Sequence, residues 1–176
     1  MRVHSDIKFN RIWSMPNKNT FKIKPIKELL ERYITPFDEV IEPFANNSEW
    51  GTITNDLDSQ YDTTYHMEAT DFLKMLDDKC ADVILYDPPF SVRQLSECYK
   101  KFGLSVNSET TRSDYWTKQK KEIARIIKPN GIVISFGWNS GGIGKKLGFE
   151  IIEILLVPHG GIHNDTIVTV ERKIAE

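Results

Sequence analysis

The residues most able to do chemistry form one short string, in which an acid is followed by two prolines and an aromatic ring. Asp87, Pro88, Pro89 and Phe90 come directly after residues 81–86, an apolar run typical of a buried strand. Prolines stiffen the backbone and lack an N–H, so they would present the Asp87 carboxylate and the Pro88 carbonyl as two fixed acceptors beside the Phe90 ring. The same string also makes an ordinary turn, so its role depends on what lies near it.

Three further acids occupy comparable places along the chain. Glu42 and Asp56 each end an apolar run, and Asp71 opens an amphipathic stretch. If the strands are parallel, the acids at their carboxyl ends gather at one edge of the sheet, where ligands bind in folds of this type. Single acids are also common at strand ends, so it is their combination with Asp87 that indicates a site.

Alternating strand and helix patterns predict an α/β fold with a mostly parallel central sheet and helices on both faces. The helix that follows Pro25 begins with this proline in its first turn, and Thr70 or Asp71 is the expected cap of the second helix. Helices are predicted over 26–34, 70–76, 91–102 and 114–127. Strands are predicted over 39–44, 50–55, 81–86, 132–136, 150–157 and 166–171, with a weak strand at 61–67. We expect a single domain over 1–176, with an irregular segment at 1–19 and a mobile substrate loop at 103–113.

Length and composition are those of an ordinary globular domain. The 176 residues, 40% of them apolar, suffice for a buried core without stabilising cross-links. No run of 18 apolar residues predicts a membrane span, so a membrane partner is not expected. Cys80 and Cys98 form no disulfide framework, which suits a reducing, cytoplasmic setting.

Charge is distributed unevenly along the chain. Residues 1–27 carry seven Lys/Arg and one acid, residues 28–92 carry three and fifteen, and residues 93–128 carry nine and four. Clustered Lys and Arg suit phosphate contacts, although ordinary solvated faces have the same composition. The candidate phosphate contacts are Lys18, Lys22, Arg93 and Arg112.

With these motifs in this order, the sequence resembles the DNA amino-methyltransferases, which transfer a methyl group from S-adenosylmethionine to an exocyclic amine of a base. The resemblance covers roughly residues 20–171 and implies a Rossmann-like methyltransferase fold. Asp87-Pro88-Pro89-Phe90 is similar to the family's catalytic motif. The acid at its first position resembles the adenine-N6 branch more than the cytosine-N4 branch.

The resemblance also implies a cofactor site. Residues 20–25 are similar to the family's Lys-Pro segment, which helps to hold the methionine end of the cofactor, and residues 41–47 resemble its Asp-Pro-Phe-x-Gly loop. Asp56 matches the acid that binds the ribose hydroxyls, and Asp71 the acid that receives the adenine amino group. The residues assigned to the cofactor in this way are Lys24, Pro25, Glu42, Pro43, Phe44, Asp56 and Asp71.

The cofactor loop departs from the family pattern at two positions. Asn46 and Asn47 stand where glycines are usual, and Asn is the residue after Gly that best tolerates a positive φ. We therefore expect the turn to form, with side chains in space that the family leaves open. Methylation of RNA bases or of cytosine N4 is an alternative, as is a catalytically silent nucleic-acid-binding or partner-binding domain.

The chemistry of the catalytic motif follows from its acceptors. An exocyclic amine on a purine is a poor nucleophile because its lone pair is delocalised into the ring. Acceptors at Asp87 and Pro88 for its two N–H groups would favour a pyramidal nitrogen, and Phe90 would stack on the base. A base inside a duplex cannot enter such a pocket, so a flipped base or a single-stranded substrate is implied.

Other features add little to this interpretation. His159 and His163, with Asp165 nearby, offer too few ligands for a metal site. No segment has the size of a separate target-recognition domain, so DNA specificity could come from a partner subunit or from a homo-oligomer.

Overall fold

The computed structural model describes residues 6–89, 91–104 and 114–175 of the chain. Its strands are β1 (Lys8–Arg11), β2 (Val40–Glu42), β3 (Ile53–Thr54), β4 (Ala81–Tyr86), β5 (Ile127–Gly137), β6 (Phe149–Val157) and β7 (Thr166–Lys173). Its α-helices are α1 (Lys24–Tyr33), α2 (Ala69–Met75), α3 (Val92–Lys101) and α4 (Asp114–Ile126), and short 3-10 turns lie at Thr20–Lys22 and Lys145–Leu147.

The strands form one sheet in the order β1-β6-β7-β5-β4-β2-β3. Strand β7 is antiparallel to both of its neighbours, and every other pairing in the sheet is parallel. The predicted mostly parallel sheet is therefore confirmed. Strands β2, β4 and β5 lie side by side in the same direction, so their carboxyl ends meet at one edge.

Helices cover both faces of this sheet, because the central strands are apolar on both sides. In β4, Val83 and Leu85 pack into the core that contains α1, whereas Ile84 and Tyr86 pack into the core that contains α2 and α4. The two directions alternate because successive side chains of a strand point to opposite faces. This pattern is typical of a strand buried in a parallel sheet.

Helix α1 forms where the helical spacing predicts it. Pro25 lies in its first turn, where the missing N–H removes no helical bond. Ile26, Leu29 and Leu30 are almost fully buried, and the opposite face carries the charged residues. Packing of this apolar stripe against β2 and β4 places the preceding segment, residues 18–22, above the carboxyl edge of the sheet.

Three local predictions are wrong. The 1–19 segment contains strand β1, which is predominantly exposed; it forms because its backbone pairs with β6, a long-range contact that leaves no apolar pattern in its own sequence. The cap of α2 is Glu68, whose side chain accepts from the N–H groups of Thr70 and Asp71. The weak strand expected at 61–67 is a single bridge between Asn55 and Tyr65.

Strand β5 begins earlier than expected, immediately after α4. Its register against β4 jumps from Ile127 to Ile132, so residues 128–131 bulge out of the ladder. Asn130 adopts a φ of 63° in this bulge, which Asn tolerates better than most residues. The predicted strand over 132–136 is the regularly paired part.

In the part of the chain that the structure describes, no helix is both long and apolar enough to cross a membrane.

Candidate functional site

The structure brings together three of the four acids singled out in the sequence. Glu42 is the last residue of β2, while Asp56 follows β3 and Asp87 follows β4. Since β2 lies between β3 and β4 and is parallel to both, all three acids lie at the same edge. Clustered carboxylates in a partly buried site favour a cationic ligand.

Glu42 is the most deeply buried of the three, with 1% of its surface exposed. Its Oε1 accepts a hydrogen bond from the Ser48 hydroxyl at 2.7 Å, while its Oε2 is buried without a hydrogen-bond partner among the described residues. Burial, reinforced by the charge of Asp87, raises the pKa of Glu42 to about 8. An unpartnered buried carboxylate oxygen is costly and would gain from a donor brought by a ligand.

Asp87 lies half-buried at the end of β4, with the Thr20 side chain within hydrogen-bonding reach of its carboxylate. Burial raises the pKa of Asp87 to about 6, and the Thr20 bond opposes this shift. The carboxylate is therefore largely ionised at neutral pH and can accept hydrogen bonds. Thr20 stands on the 3-10 turn before α1, so this bond ties the N-terminal segment to the end of β4.

Asp56 organises the loops after β2 and β3. Its Oδ2 accepts from the Asn46 N–H at 2.9 Å and its Oδ1 from the Asp58 N–H at 2.9 Å. Asn46 has a φ of 51°, so the left-handed turn expected at a glycine position forms here with Asn. Burial raises the pKa of Asp56 despite these bonds.

Two adjoining cavities open above these acids. The first, about 460 Å³, is lined by the N-terminal segment and the loop after β2; the second, about 280 Å³, extends toward α3. Thr20, Phe44, Asn46 and Asp87 line both cavities. Asp87 therefore stands at the junction of the two.

The second cavity has a polar end that the sequence did not indicate. Glu68 lines this cavity, and its Oε1 accepts from the hydroxyls of Tyr99 and Tyr115, each at 3.2 Å. Its Oε2 accepts from the Thr70 N–H at 2.8 Å. The family resemblance assigned the adenine amino group of the cofactor to Asp71. This residue is exposed on α2 and does not line any of the three cavities described.

The remaining predicted cofactor residues divide into two groups. Pro43 and Phe44 line the second cavity. Lys24 is exposed and lies 4.0 Å from Glu28, and Pro25 is buried in the first turn of α1; neither lines any of the three cavities described. The N-terminal segment thus enters the site through Lys18–Lys22, which ends two residues before Lys24.

A third cavity of about 340 Å³ lies on the other side of the prolines. Pro88 and Pro89 line both the second and the third cavity, so the double proline forms a partition between them. The Trp116 indole N–H donates to the Pro89 carbonyl at 3.1 Å and fixes this partition to α4. Its aromatic lining residues are Tyr86, Trp116, Phe136 and Trp138, although the Phe136 ring itself packs against Phe21 in the core that contains α1.

The candidate phosphate contacts do not form one cluster. Lys18 and Lys22 line the first cavity. Arg93 is exposed on α3 and pairs with Glu97 at 2.9 Å. Arg112 and Phe90 lie outside the described residues, as does most of the predicted 103–113 loop.

His159, in the predicted histidine segment, has a structural role. The two ring nitrogens of His159 lie 2.9 Å from the Ser14 carbonyl and 2.8 Å from the Thr166 hydroxyl, which joins the N-terminal segment to the β6–β7 connection. Over the described residues, no group of three or more His, Cys, Asp or Glu side chains could hold a metal ion.

No protein-family profile matches the chain, and no curated protein matches its sequence. Solved structures nevertheless share its fold. TrmN from Thermus thermophilus is 17% identical with a TM-score of 0.57, over 86% of this chain and 49% of that one. The 1,6-didemethyltoxoflavin-N1-methyltransferase of Burkholderia thailandensis, solved with S-adenosylhomocysteine, is 12% identical with a TM-score of 0.57, over 86% and 77%. A SAM-dependent methyltransferase from Methanosarcina mazei is 9% identical with a TM-score of 0.54, over 84% and 98%. The chain therefore has the Rossmann-like α/β fold of the methyltransferases, as predicted.

Proposed function

We propose that this chain is an S-adenosylmethionine-dependent methyltransferase that acts on the exocyclic N6 amine of adenine in DNA. The observation that carries the proposal is the position of Asp87, which lies at the junction of two cavities and is followed directly by the proline partition of the third. A carboxylate and a proline carbonyl at this place can hold an amine beside a methyl donor. The methyltransferase fold supports the choice of donor.

The residues around the first two cavities fit S-adenosylmethionine. Its ammonium and sulfonium charges suit the acidic edge, where Glu42 lies beneath the first cavity and is bonded to the lining residue Ser48. The second cavity combines apolar lining with the carboxylates of Asp56 and Glu68, which suits a nucleoside, since these acids can accept from ribose hydroxyls and a ring amine. When bound, this cofactor supplies an electrophilic methyl group on a positively charged sulfur.

Asp87 and Pro88 position the amine for methyl transfer. Accepting hydrogen bonds from both N–H groups of an aryl amine draws its lone pair out of conjugation and points it toward the methyl group, which is chiefly a positioning effect. The nitrogen loses one proton after it gains the methyl group, and Asp87 is the carboxylate placed to receive it. Pro89 stiffens the carbonyl before it and brings no competing N–H.

The nucleic-acid part of the proposal rests on the sequence motif and on charge. An acid at position 87 resembles the adenine-N6 branch, and Lys18 and Lys22 beside the first cavity are suitable for phosphates. The amine must enter a pocket, so we propose a flipped or single-stranded adenine as the acceptor. A partner subunit or a second copy would then supply sequence specificity.

The experiment that tests the proposal measures donor binding and transfer separately. Calorimetry should detect S-adenosylmethionine binding, and labelled methyl should pass to adenine-containing single-stranded DNA. Asp87→Ala should abolish transfer while donor binding persists. Transfer to RNA, or to cytosine in DNA that lacks adenine, would redirect the acceptor assignment; absence of donor binding at millimolar concentration would exclude the enzyme and favour a silent binding domain.

A further inference from the structure

The glycine-bearing segment after β5 lines the third cavity, and a single buried carboxylate holds it. Gly137, Trp138, Asn139 and Gly142 contribute to the lining. This segment begins at the carboxyl end of β5, next to the end of β4 that carries Asp87. It therefore forms the wall of the cavity that faces the proline partition.

The carboxylate belongs to Glu171 in the middle of β7, which is fully buried. Its Oε2 accepts from the Ile143 N–H at 2.6 Å and its Oε1 from the Gly144 N–H at 2.9 Å. Each carboxylate oxygen thus accepts a hydrogen bond from one of two successive backbone amides of the segment. Hydrogen bonds that involve a buried charge are stronger than neutral ones, so this pair of bonds fixes the segment firmly against the sheet.

The packing at Gly142 shows how close this contact is. Gly142 has a φ of 56°, and a Cβ at this position would collide with the Glu171 carboxylate. Ile143, the next residue, is buried in the core that contains α4 and Phe149. The segment is therefore held between Glu171 on one side and the apolar core on the other.

Lys120 lies near both the cavity and the carboxylate. It lies on α4, lines the third cavity, and its charge acts on Glu171. The Trp116 indole, one turn earlier on α4, bonds the proline partition. Helix α4 thus carries one residue bonded to the proline partition and another near the segment held by Glu171.

We propose that Glu171 is a positioning residue for the acceptor: by holding Ile143 and Gly144 it sets the wall of the third cavity, which receives the flat ring that carries the amine. The inference rests on the proposed methyl transfer at Asp87. Tyr86, Trp116 and Trp138 line this cavity together with the two prolines, and such surfaces bind a planar heteroaromatic ring by stacking. Glu171 does not touch the reacting atoms; it acts through the segment.

Glu171→Gln tests this role, because Gln keeps the shape and one acceptor oxygen but presents an NH₂ group to one of the two amides. We expect the KM for an adenine-containing single-stranded oligonucleotide to rise about tenfold, while kcat at saturating oligonucleotide and the Kd for S-adenosylmethionine stay within about twofold. Amide hydrogen exchange at Ile143 and Gly144 should accelerate in the same variant.

Gly142→Ala is the second variant, which leaves the carboxylate itself intact. It should raise the same KM. In Glu171→Ala/Gly142→Ala the increase should be smaller than the product of the increases in the single variants Glu171→Ala and Gly142→Ala, because the collision needs both groups. Glu153→Gln is the matched control: Glu153 is an equally buried carboxylate, on β6, bonded to Arg32 and Tyr33. It should lower the melting temperature without changing the oligonucleotide KM.

The two proposals fail in different ways. If the unsubstituted protein transfers methyl groups but Glu171→Gln leaves the oligonucleotide KM unchanged, or weakens donor binding in parallel, the positioning role is refuted and the proposed function stands. If the unsubstituted protein binds no donor or transfers no methyl group, the proposed function is refuted, and the assignment of this wall to an acceptor is refuted with it.

Discussion

The Asn46 N–H donates a hydrogen bond to Oδ2 of Asp56 at 2.9 Å, which joins the loop after β2 to the loop after β3. The Ala45 N–H donates to the Asn55 carbonyl at 2.9 Å beside it. Asn46 itself adopts a φ of 51° at this junction. The residue that departs from the expected glycine pattern is thus part of the framework that places Asp56 in the second cavity.

Asn46→Ala should weaken the site because Ala is disfavoured at a φ of 51°. We expect a loss of about 1 kcal/mol of stability and weaker donor binding, whereas Asn46→Gly should be nearly neutral, since Gly accepts this conformation. Urea unfolding and calorimetry measure the two effects. Asn47→Ala is the control for stability, since Asn47 has no positive φ; a loss of stability equal to that of Asn46→Ala would contradict this account.

Asp87→Asn should separate stability from activity. The pKa of Asp87 is raised to about 6 by burial, above its ordinary value in an unfolded chain, so ionisation stabilises the unfolded state more than the folded one. The wild-type protein therefore loses stability as the pH rises from about 4 to about 6. The neutral amide avoids this loss, and we expect a gain on the order of 2 kcal/mol at pH 8, with methyl transfer abolished.

The pH profile of transfer should reflect the same group. Asp87 must be ionised to accept from the amine, so the rate should rise as the pH increases through about 6. Thr20→Val removes the hydrogen bond that lowers the pKa of Asp87, so the rising limb should move to higher pH. A profile that does not move would show that Thr20 has no electrostatic role at the site.

Donor affinity should depend on the ionisation of Glu42. The pKa of Glu42 is raised to about 8, so at neutral pH the free protein holds it mostly protonated, and a cationic ligand favours the ionised form. Binding of S-adenosylmethionine should therefore tighten between pH 6.5 and 8.5 and release a proton, which calorimetry in buffers of different ionisation enthalpy detects. Glu42→Gln should bind more weakly and lose this dependence; proton release that persists in the variant would contradict the assignment.

Thr169→Val should not destabilise the protein, although the side chain is almost fully buried. The Thr169 hydroxyl has no hydrogen-bond partner among the described residues, and replacing such a hydroxyl by a methyl group of similar shape removes an uncompensated polar group. We expect a gain of about 1 kcal/mol in urea unfolding. A loss of similar size would mean that a buried water bonds the hydroxyl.

The sequence by itself determined the scaffold and part of the site. Apolar runs and helical spacing gave the sheet class and helix α1 because burial leaves a periodic pattern in the residues that are buried. Glu42, Asp56 and Asp87 could be grouped because parallel strands with acids at their carboxyl ends place those acids at one edge. Turn preference likewise predicted the positive φ at Asn46.

Only the tertiary structure decided which other residues join them. Glu68 enters the site through hydrogen bonds from Tyr99 and Tyr115, and its own neighbours in the sequence carry no pattern that marks it. Strand β1 forms by pairing with β6 across more than 140 residues, and Glu171 meets Ile143 and Gly144 across the sheet. Local sequence records burial and turn preference, whereas contacts such as these depend on how separate elements pack, which no single stretch of the chain encodes.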